Sequence, residues 1–141
     1  MAGSKTAYLE GKLLNFVFNG GVFVPVGTLY AALSLSPFDT SATGTVMDEV
    51  PSSGAYARVS IVANTTNFPV ATGSNPAQIT NGTTITFPTA TGSWGTVLSV
   101  YLVDAATLGN TYYGADLAAP VSILTGASLA IPPSAAVFQE T

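Results

Sequence analysis

Apolar and polar residues alternate in several short segments of the chain, and the clearest of them lie in its second half. Ile85 and Phe87 share one face of a predicted strand over Thr84 to Phe87. Pro88 ends this strand, because proline cannot donate a hydrogen bond to a central ladder. The run Val97 to Val103 is apolar at all positions but one. Such a run is typical of a strand that is covered on both faces.

Two further strands with a period of two are predicted over Thr28 to Ser36 and Ala55 to Asn64. In the second of these, Ala57 is expected on the buried face and Tyr56 on the opposite face with Arg58. The residues expected to point into the core are Leu29, Leu33, Val59, Ile61, Ile85 and Phe87, together with most of Val97 to Val103.

The last third of the chain predicts shorter strands separated by turns. A strand over Thr111 to Ala115 is followed by a break at Asp116 to Pro120. Val121 to Leu124 and Ser128 to Ile131 then form a predicted hairpin, and Ala135 to Phe138 a last short strand. Seven or eight short strands with frequent turns favour an all-β fold, an antiparallel jelly-roll-like β-sandwich with a short N-terminal helix.

The N-terminal helix is predicted over Thr6 to Phe18, where Leu9, Leu13 and Val17 repeat every four residues. The segment Asn19 to Gly21 ends it. Two interpretations remain open for this helix. It closes one end of the sandwich, or it is an arm that packs on a neighbouring molecule.

Residues 1–141 are expected to form a single domain, with an N-terminal helix or arm at residues 1–20 and a long loop at 37–54. That loop exceeds ordinary connections, which indicates a functional or assembly-ordered segment. Its carboxylates Asp39, Asp48 and Glu49 suggest either a calcium site or a plain solvated loop. Their spacing does not match an EF-hand loop, which favours the solvated loop.

The composition is poor in charge. Hydrophobic residues make up 48% of the chain and charged residues 7%, against about 25% in ordinary domains. The surface must therefore carry Ser, Thr, Asn, Gly and some apolar area, which suits a protein buried in an assembly. The net charge is −4, and only Lys5, Lys12 and Arg58 are cationic, so no nucleic-acid partner is expected. No apolar run approaches the ~20 residues of a membrane span.

The residue types needed for most catalysis are missing. The chain has no cysteine and no histidine, so no enzyme activity, cofactor or metal is expected. Asp104 and Asp116 could form the carboxylate pair of a glycosidase, but turn formation explains them more simply. Trp94 with Tyr112 and Tyr113 could form a carbohydrate platform, but core packing is the simpler interpretation.

Several motifs in order carry a resemblance to a known family. The N-terminal helix AYLEGKLLNFVF is followed by SGAYARV at Ser53 to Val59, ITFPTATGSWGTV at Ile85 to Val97, and YLVDAATLGNTYYGADLAAPVSILTGASLAI at Tyr101 to Ile131. Together they resemble small virion proteins of tailed bacteriophages, whose members carry tail-fibre labels or are capsid cementing (decoration) proteins, as in a Bordetella-type podophage. The chain departs from that pattern at Asp116.

The resemblance implies a non-enzymatic jelly-roll protein, a homodimer, which is clamped on the outside of an icosahedral capsid and cements neighbouring capsomers. Its implied partners are the major capsid protein and a second copy of itself, and its implied location is the virion. The alternative is a tail-fibre or baseplate module that binds a host receptor or glycan. The family brings no catalytic residues. The candidate interface residues are Phe16, Phe18, Tyr30, Tyr56, Arg58 and Trp94.

Overall fold

The computed structural model describes residues 1–140, which form nine strands and one helix. The elements are β1 (Ala2–Lys5), α1 (Ala7–Phe18), β2 (Thr28–Ser34), β3 (Val59–Val62), β4 (Ala77–Thr80), β5 (Ile85–Thr86), β6 (Gly95–Val103), β7 (Thr111–Ile123), β8 (Ala130–Ile131) and β9 (Val137–Glu140). Seven strands form one sheet in the order β3-β2-β6-β7-β1-β9-β4, and β5 pairs with β8. The predicted all-β, sandwich-like fold with one short N-terminal helix is confirmed. One strand pair, β1 with β9, is parallel.

The centre of the large sheet is buried on both faces. Strands β2 and β6 pair with Leu33 opposite Val100. Leu33 belongs to the main core, which also contains Ile85 and Phe87 from the side of the two-stranded sheet. The opposite face forms a second cluster from Ala32, Tyr101 and Val103, closed by Ala42 and Met47 of the long loop and by Phe38. Coverage by the loop explains why the β6 segment is apolar at nearly every position.

Helix α1 is held at its N-terminus by Thr6. The Thr6 hydroxyl accepts a hydrogen bond from the Leu9 amide at 3.5 Å and donates to the Thr111 carbonyl at 2.5 Å. The helix ends at Phe18 with Asn19 as its C-cap, and Gly20 follows with φ of +67°, which glycine adopts at no steric cost. Of the predicted apolar face, Leu9 is buried but Val17 is 66% exposed. The first turns therefore pack on the domain and the last turns project from it.

Strand β7 continues through the predicted break at Asp116 to Pro120, so the strand itself does not end there, although its pairing with β6 is interrupted. The pairing with β6 jumps from Ser99 opposite Asp116 to Val97 opposite Val121. The residues between them, Pro120 included, have no partner across the ladder and form a bulge. A proline is tolerated there because no ladder hydrogen bond is required of it.

The predicted hairpin around residues 125–127 is also wrong. A turn is present, but β8 pairs with β5 through Ile131 opposite Ile85, and not with the end of β7. The chain passes instead from the large sheet to the small one. A local turn pattern does not say which strand the next segment will join.

The faces expected around residue 57 are reversed. Tyr56 is buried and Ala57 is exposed. Strand β3 begins only at Val59, and Gly54 and Ala55 both have positive φ values, of +64° and +65°. The alternation therefore does not extend back through this turn, and the bulky tyrosine rather than the alanine enters the core.

Candidate functional site

The single arginine is buried and paired within its own chain. The Arg58 side chain is 2% exposed, and its Nε and Nη2 donate to the two carboxylate oxygens of Glu49, each at 2.8 Å. The Tyr56 hydroxyl also donates to Glu49 Oε1 at 2.8 Å and accepts from the Leu33 amide at 2.9 Å. Burial raises the pKa of Tyr56, which keeps this phenol protonated and able to donate.

The same guanidinium joins two loops, at residues 37–54 and 104–110, which we call the paired loops. Its Nη1 donates to the carbonyl oxygens of Ala105 at 2.7 Å and Leu108 at 2.9 Å. Its Nη2 donates to the carbonyl oxygen of Gly44 at 3.2 Å. A planar guanidinium has five N–H donors in fixed directions, so it holds both loops in one relative position.

The backbones of the paired loops touch. The Gly44 amide donates to the Gly109 carbonyl at 3.1 Å, and a Cβ at residue 44 would lie 1.9 Å from the Leu108 carbonyl oxygen. Only glycine fits this contact. Leu108 has φ of +56°, a left-handed conformation that is costly for leucine and that the surrounding hydrogen bonds must maintain. Such maintained strain is found more often at functional positions than elsewhere.

Each of the paired loops presents an apolar side chain to solvent. Val46 is 70% exposed and Leu108 is 63% exposed. An open cleft of about 640 Å³ lies between the loops, lined in part by Met47, Arg58 and Leu108. The sequence did not predict these two positions. Its only signal is the Leu-Gly pair in a turn, which does not reveal a left-handed leucine.

A second exposed apolar surface lies at residues 14–24, and we call it the apolar projection. Six of its side chains are 55–80% exposed: Leu14, Phe16, Val17, Phe18, Val22 and Val24. The ring of Phe16 lies 6.1 Å from that of Phe23, which connects the helix to the segment that follows it. No charged residue occurs from residue 13 to residue 38. No helix in residues 1–140 is long and apolar enough to cross a membrane.

The six candidate interface residues fall into two groups. Phe16 and Phe18 are exposed on the apolar projection, and Tyr30 is half-buried on β2. The side chains of Tyr56, Arg58 and Trp94 make their contacts inside their own chain. Contact of any of the six with a partner stays a prediction.

Trp94 belongs to the core and not to a carbohydrate platform. It is 3% exposed, and its ring packs edge-on against Tyr56 with centroids 5.3 Å apart. Tyr112 instead packs on Tyr8 of α1, with centroids 5.4 Å apart. The core interpretation of Trp94 is confirmed, and the proposed platform with the tyrosine pair is wrong.

The carboxylates of the long loop have separate partners. Asp39 accepts hydrogen bonds from the amide and hydroxyl of Ser41, and these bonds lower its pKa. Asp48 accepts from the Ser36 hydroxyl at 2.5 Å, and Glu49 binds Arg58. No group of three acidic side chains that could hold a metal ion occurs in residues 1–140.

Asp104 and Asp116 also have separate roles. Asp104 accepts from the amide of Asn110 at 2.8 Å and from its side chain at 3.0 Å, which closes a turn as predicted. Asp116 lies within β7 and accepts from the Phe38 amide at 2.7 Å, so its assignment to a turn is wrong. Each carboxylate binds backbone amides, which is a structural use.

Comparison with known proteins gives one family. A sequence model of the family described as Podophage GP4 fiber I protein gp80 matches residues 4–139, which is nearly the whole chain from β1 into β9. No curated protein matches the chain.

Proposed function

Since the chain belongs to the podophage GP4 fiber I protein gp80 family and is a bacteriophage structural protein, we propose that it acts without catalysis on the outside of the capsid. There it binds the major capsid protein as a homodimer and cements neighbouring capsomers. The paired loops make the contact with the capsid, and two copies of the chain connect adjacent sites.

The observation that carries this proposal is the exposure of Val46 and Leu108 on loops that Arg58 holds in place. Apolar side chains that project from a fixed backbone are suited to a permanent contact, because little conformational entropy is lost when they are buried. A freely soluble surface would carry more charge at such tips. The strained backbone at Leu108 shows that the tip conformation is imposed by its surroundings.

Repetition over the shell supplies the strength of attachment. An individual contact of a few apolar side chains is weak, but a dimer that binds two sites gains from the high effective concentration of its second site. Burial of apolar surface is not screened by salt as exposed ion pairs are. Particles that carry the protein should therefore retain it in molar salt, and particles that lack it should break at lower temperature.

A second candidate function is a tail-fibre or baseplate module that binds a host receptor or glycan. The word fiber in the description of the matching family favours it. The two functions differ in copy number and location on the particle. We expect hundreds of copies per virion, on heads separated from tails, when the protein is quantified by mass spectrometry against the major capsid protein. A few copies or some tens, found on the tails, would replace the cementing role with the fibre role.

The role of the paired loops has its own test with matched variants. The double variant Val46→Ser/Leu108→Asn removes both apolar tips, and asparagine tolerates the left-handed backbone at position 108. The control Val70→Ser/Leu124→Asn changes the same residue types at sites that are 75% and 63% exposed. Only the first variant should lose co-sedimentation with heads that lack the protein. Equal binding by both variants would show that the paired loops do not contact the capsid.

A further inference from the structure

We infer that the outward face of α1 is the surface through which two copies of the chain associate, with the two helices antiparallel across a two-fold axis. This inference deepens the proposed function, because it assigns the dimer contact to particular residues. In the proposed arrangement, Phe18 of one copy packs over Gly11 of the other. Leu14 lies next to the axis.

The helix is apolar on the face that points away from its own domain. Leu9 and Leu13 point toward the body of the protein, where Leu9 is buried. At 100° per residue, Gly11, Leu14 and Phe18 lie on the opposite side. A surface helix ordinarily carries polar residues there. The exposed fractions of Leu14 and Phe18, 59% and 76%, therefore indicate that another molecule covers them.

No contact within its own chain requires a glycine at position 11. Gly11 lies in the middle of α1, and a Cβ built there would meet no atom within 4 Å. Glycine in a helix interior destabilises the helix relative to alanine, so its presence requires another reason. Close approach of a second backbone or of a bulky side chain supplies one. Gly11 lies one helical turn from Leu14 and two from Phe18. Because it has no side chain, it leaves a recess in the helix surface beside these two apolar side chains.

A second copy fits this surface better than a charged or extended partner. An antiparallel pair related by a two-fold axis places Gly11 opposite Phe18 in both halves of the contact, so the surface is self-complementary. The apolar projection carries no charge from residue 14 to residue 24, so pairing meets no like-charge repulsion in a chain of net charge −4. Phe16 and Phe23 pack together on the other side of the helix, near Leu9, and hold the segment after the helix against it.

The apolar projection as a whole exposes a large apolar area, part of which lies on the outward face of α1. The six exposed side chains of the apolar projection together expose on the order of 600 Å² if a large apolar side chain offers ~150–200 Å². This lies at the upper end of the ~300–600 Å² that the largest apolar patch of a monomeric protein covers. It approaches the roughly 800 Å² per partner of a standard interface.

The test is the oligomeric state of the purified full chain, measured by sedimentation equilibrium over a range of concentrations. We expect a dimer for the unchanged protein and for Val70→Ser, which removes an equally exposed apolar side chain elsewhere. Phe18→Ser and Gly11→Gln should each raise the dimer dissociation constant at least tenfold. Gln has a higher helix propensity than Gly, and residue 11 is open in the monomer, so Gly11→Gln should not lower the melting temperature of the monomer.

Cross-linking gives an independent readout. The chain has no cysteine, so a single introduced cysteine can form a disulfide only with another copy. Leu14→Cys, next to the two-fold axis, should form a disulfide-linked dimer under mild oxidation, whereas Val70→Cys should not.

The inference is overturned if the protein is a monomer at ~100 μM, or if neither Phe18→Ser nor Gly11→Gln weakens the dimer. If the protein is a monomer and Phe18→Ser abolishes its binding to heads, this face binds the capsid protein. The inferred dimer contact would then be wrong, and the proposed capsid role would remain. If the protein is a dimer but is found only on tails, the helix contact would be supported and the proposed cementing role would be wrong.

Discussion

Trp94 and Gly54 are joined by a hydrogen bond of 2.7 Å from the indole Nε1 to the backbone carbonyl oxygen. This bond fixes the turn before β3 against the start of β6. Trp94→Phe leaves the carbonyl of Gly54 without this partner, and we expect it to lower the free energy of unfolding by about 1–3 kcal/mol. Urea denaturation followed by circular dichroism measures this. A change below about 0.5 kcal/mol would mean that the bond does not contribute.

Phe87 is 1% exposed in the main core. Phe87→Ala removes most of the ring from a close-packed site, and we expect a loss of about 3–5 kcal/mol in the free energy of unfolding. The matched control is Leu124→Ala, at a side chain that is 63% exposed, where the change should stay within about 0.5 kcal/mol. A loss below about 1 kcal/mol for Phe87→Ala would contradict its position in the core.

Arg58 is the side chain whose removal should affect the paired loops most. Arg58→Ala leaves Glu49 with an unpaired charge and removes the donor to three backbone carbonyls. We expect the free energy of unfolding to fall by about 3–5 kcal/mol. The double variant Arg58→Met/Glu49→Leu should recover part of this, since no unpaired charge remains. If the double variant is as unstable as Arg58→Ala, the unpaired carboxylate is not the cause.

Stability should fall in strongly alkaline solution. Burial raises the pKa of Tyr112 to about 12 and also raises those of Tyr113 and Tyr56. An unfolded tyrosine loses its proton near pH 10, so above that pH the unfolded chain binds fewer protons than the folded one. The stabilising contribution is therefore complete below pH 10 and is lost as the pH rises toward 12.

The urea midpoint measured at pH 9 and at pH 11.5 checks this prediction, and the midpoint should be lower at pH 11.5. Tyr113→Phe removes one of the raised groups, so its stability should depend less steeply on pH. Equal midpoints at both values of pH for the unchanged protein would show that these phenols ionise as readily in the folded state as in the unfolded state.

Chelator treatment should leave the melting temperature unchanged. The carboxylates of the long loop bind Ser41, Ser36 and Arg58, and no group of three acidic side chains in residues 1–140 is placed to hold a metal. Differential scanning calorimetry with and without EDTA measures the effect. A lower melting temperature in EDTA that calcium restores would indicate that Asp39, Asp48 and Glu49 form a calcium site.

The sequence predicted the parts of the fold whose burial follows a local period. Helix α1 ends at its predicted stop before Gly20, and of its repeat of four Leu9 is buried whereas Val17 is exposed. The alternation at Ile85 and Phe87 and the apolar run of β6 were confirmed as core, because each reflects the face or faces on which its strand is covered.

The parts that were not predicted depend on distant partners. Strand β1, with the sequence AGSK, has no clear alternation, and β4, with AQIT, alternates over only four residues; both are held by pairing with β9. The paired loops depend on one arginine that reaches three carbonyls 14 to 50 residues away in sequence. No period of two or of 3.6 residues encodes such contacts. The helical part of the apolar projection was predicted, but the exposure of its side chains depends on how the helix packs on the sheet.

The position of β9 between β1 and β4 makes completion of the fold a late event in synthesis. Strand β4 has its ladder partner in β9 and β5 has its partner in β8, and the ribosome releases β8 and β9 after all the other strands. Until then, β1 and β4 present unpaired backbone groups that invite pairing with other chains. A chain that lacks β8 and β9 therefore leaves β4 and β5 without a ladder partner and exposes one edge of β1.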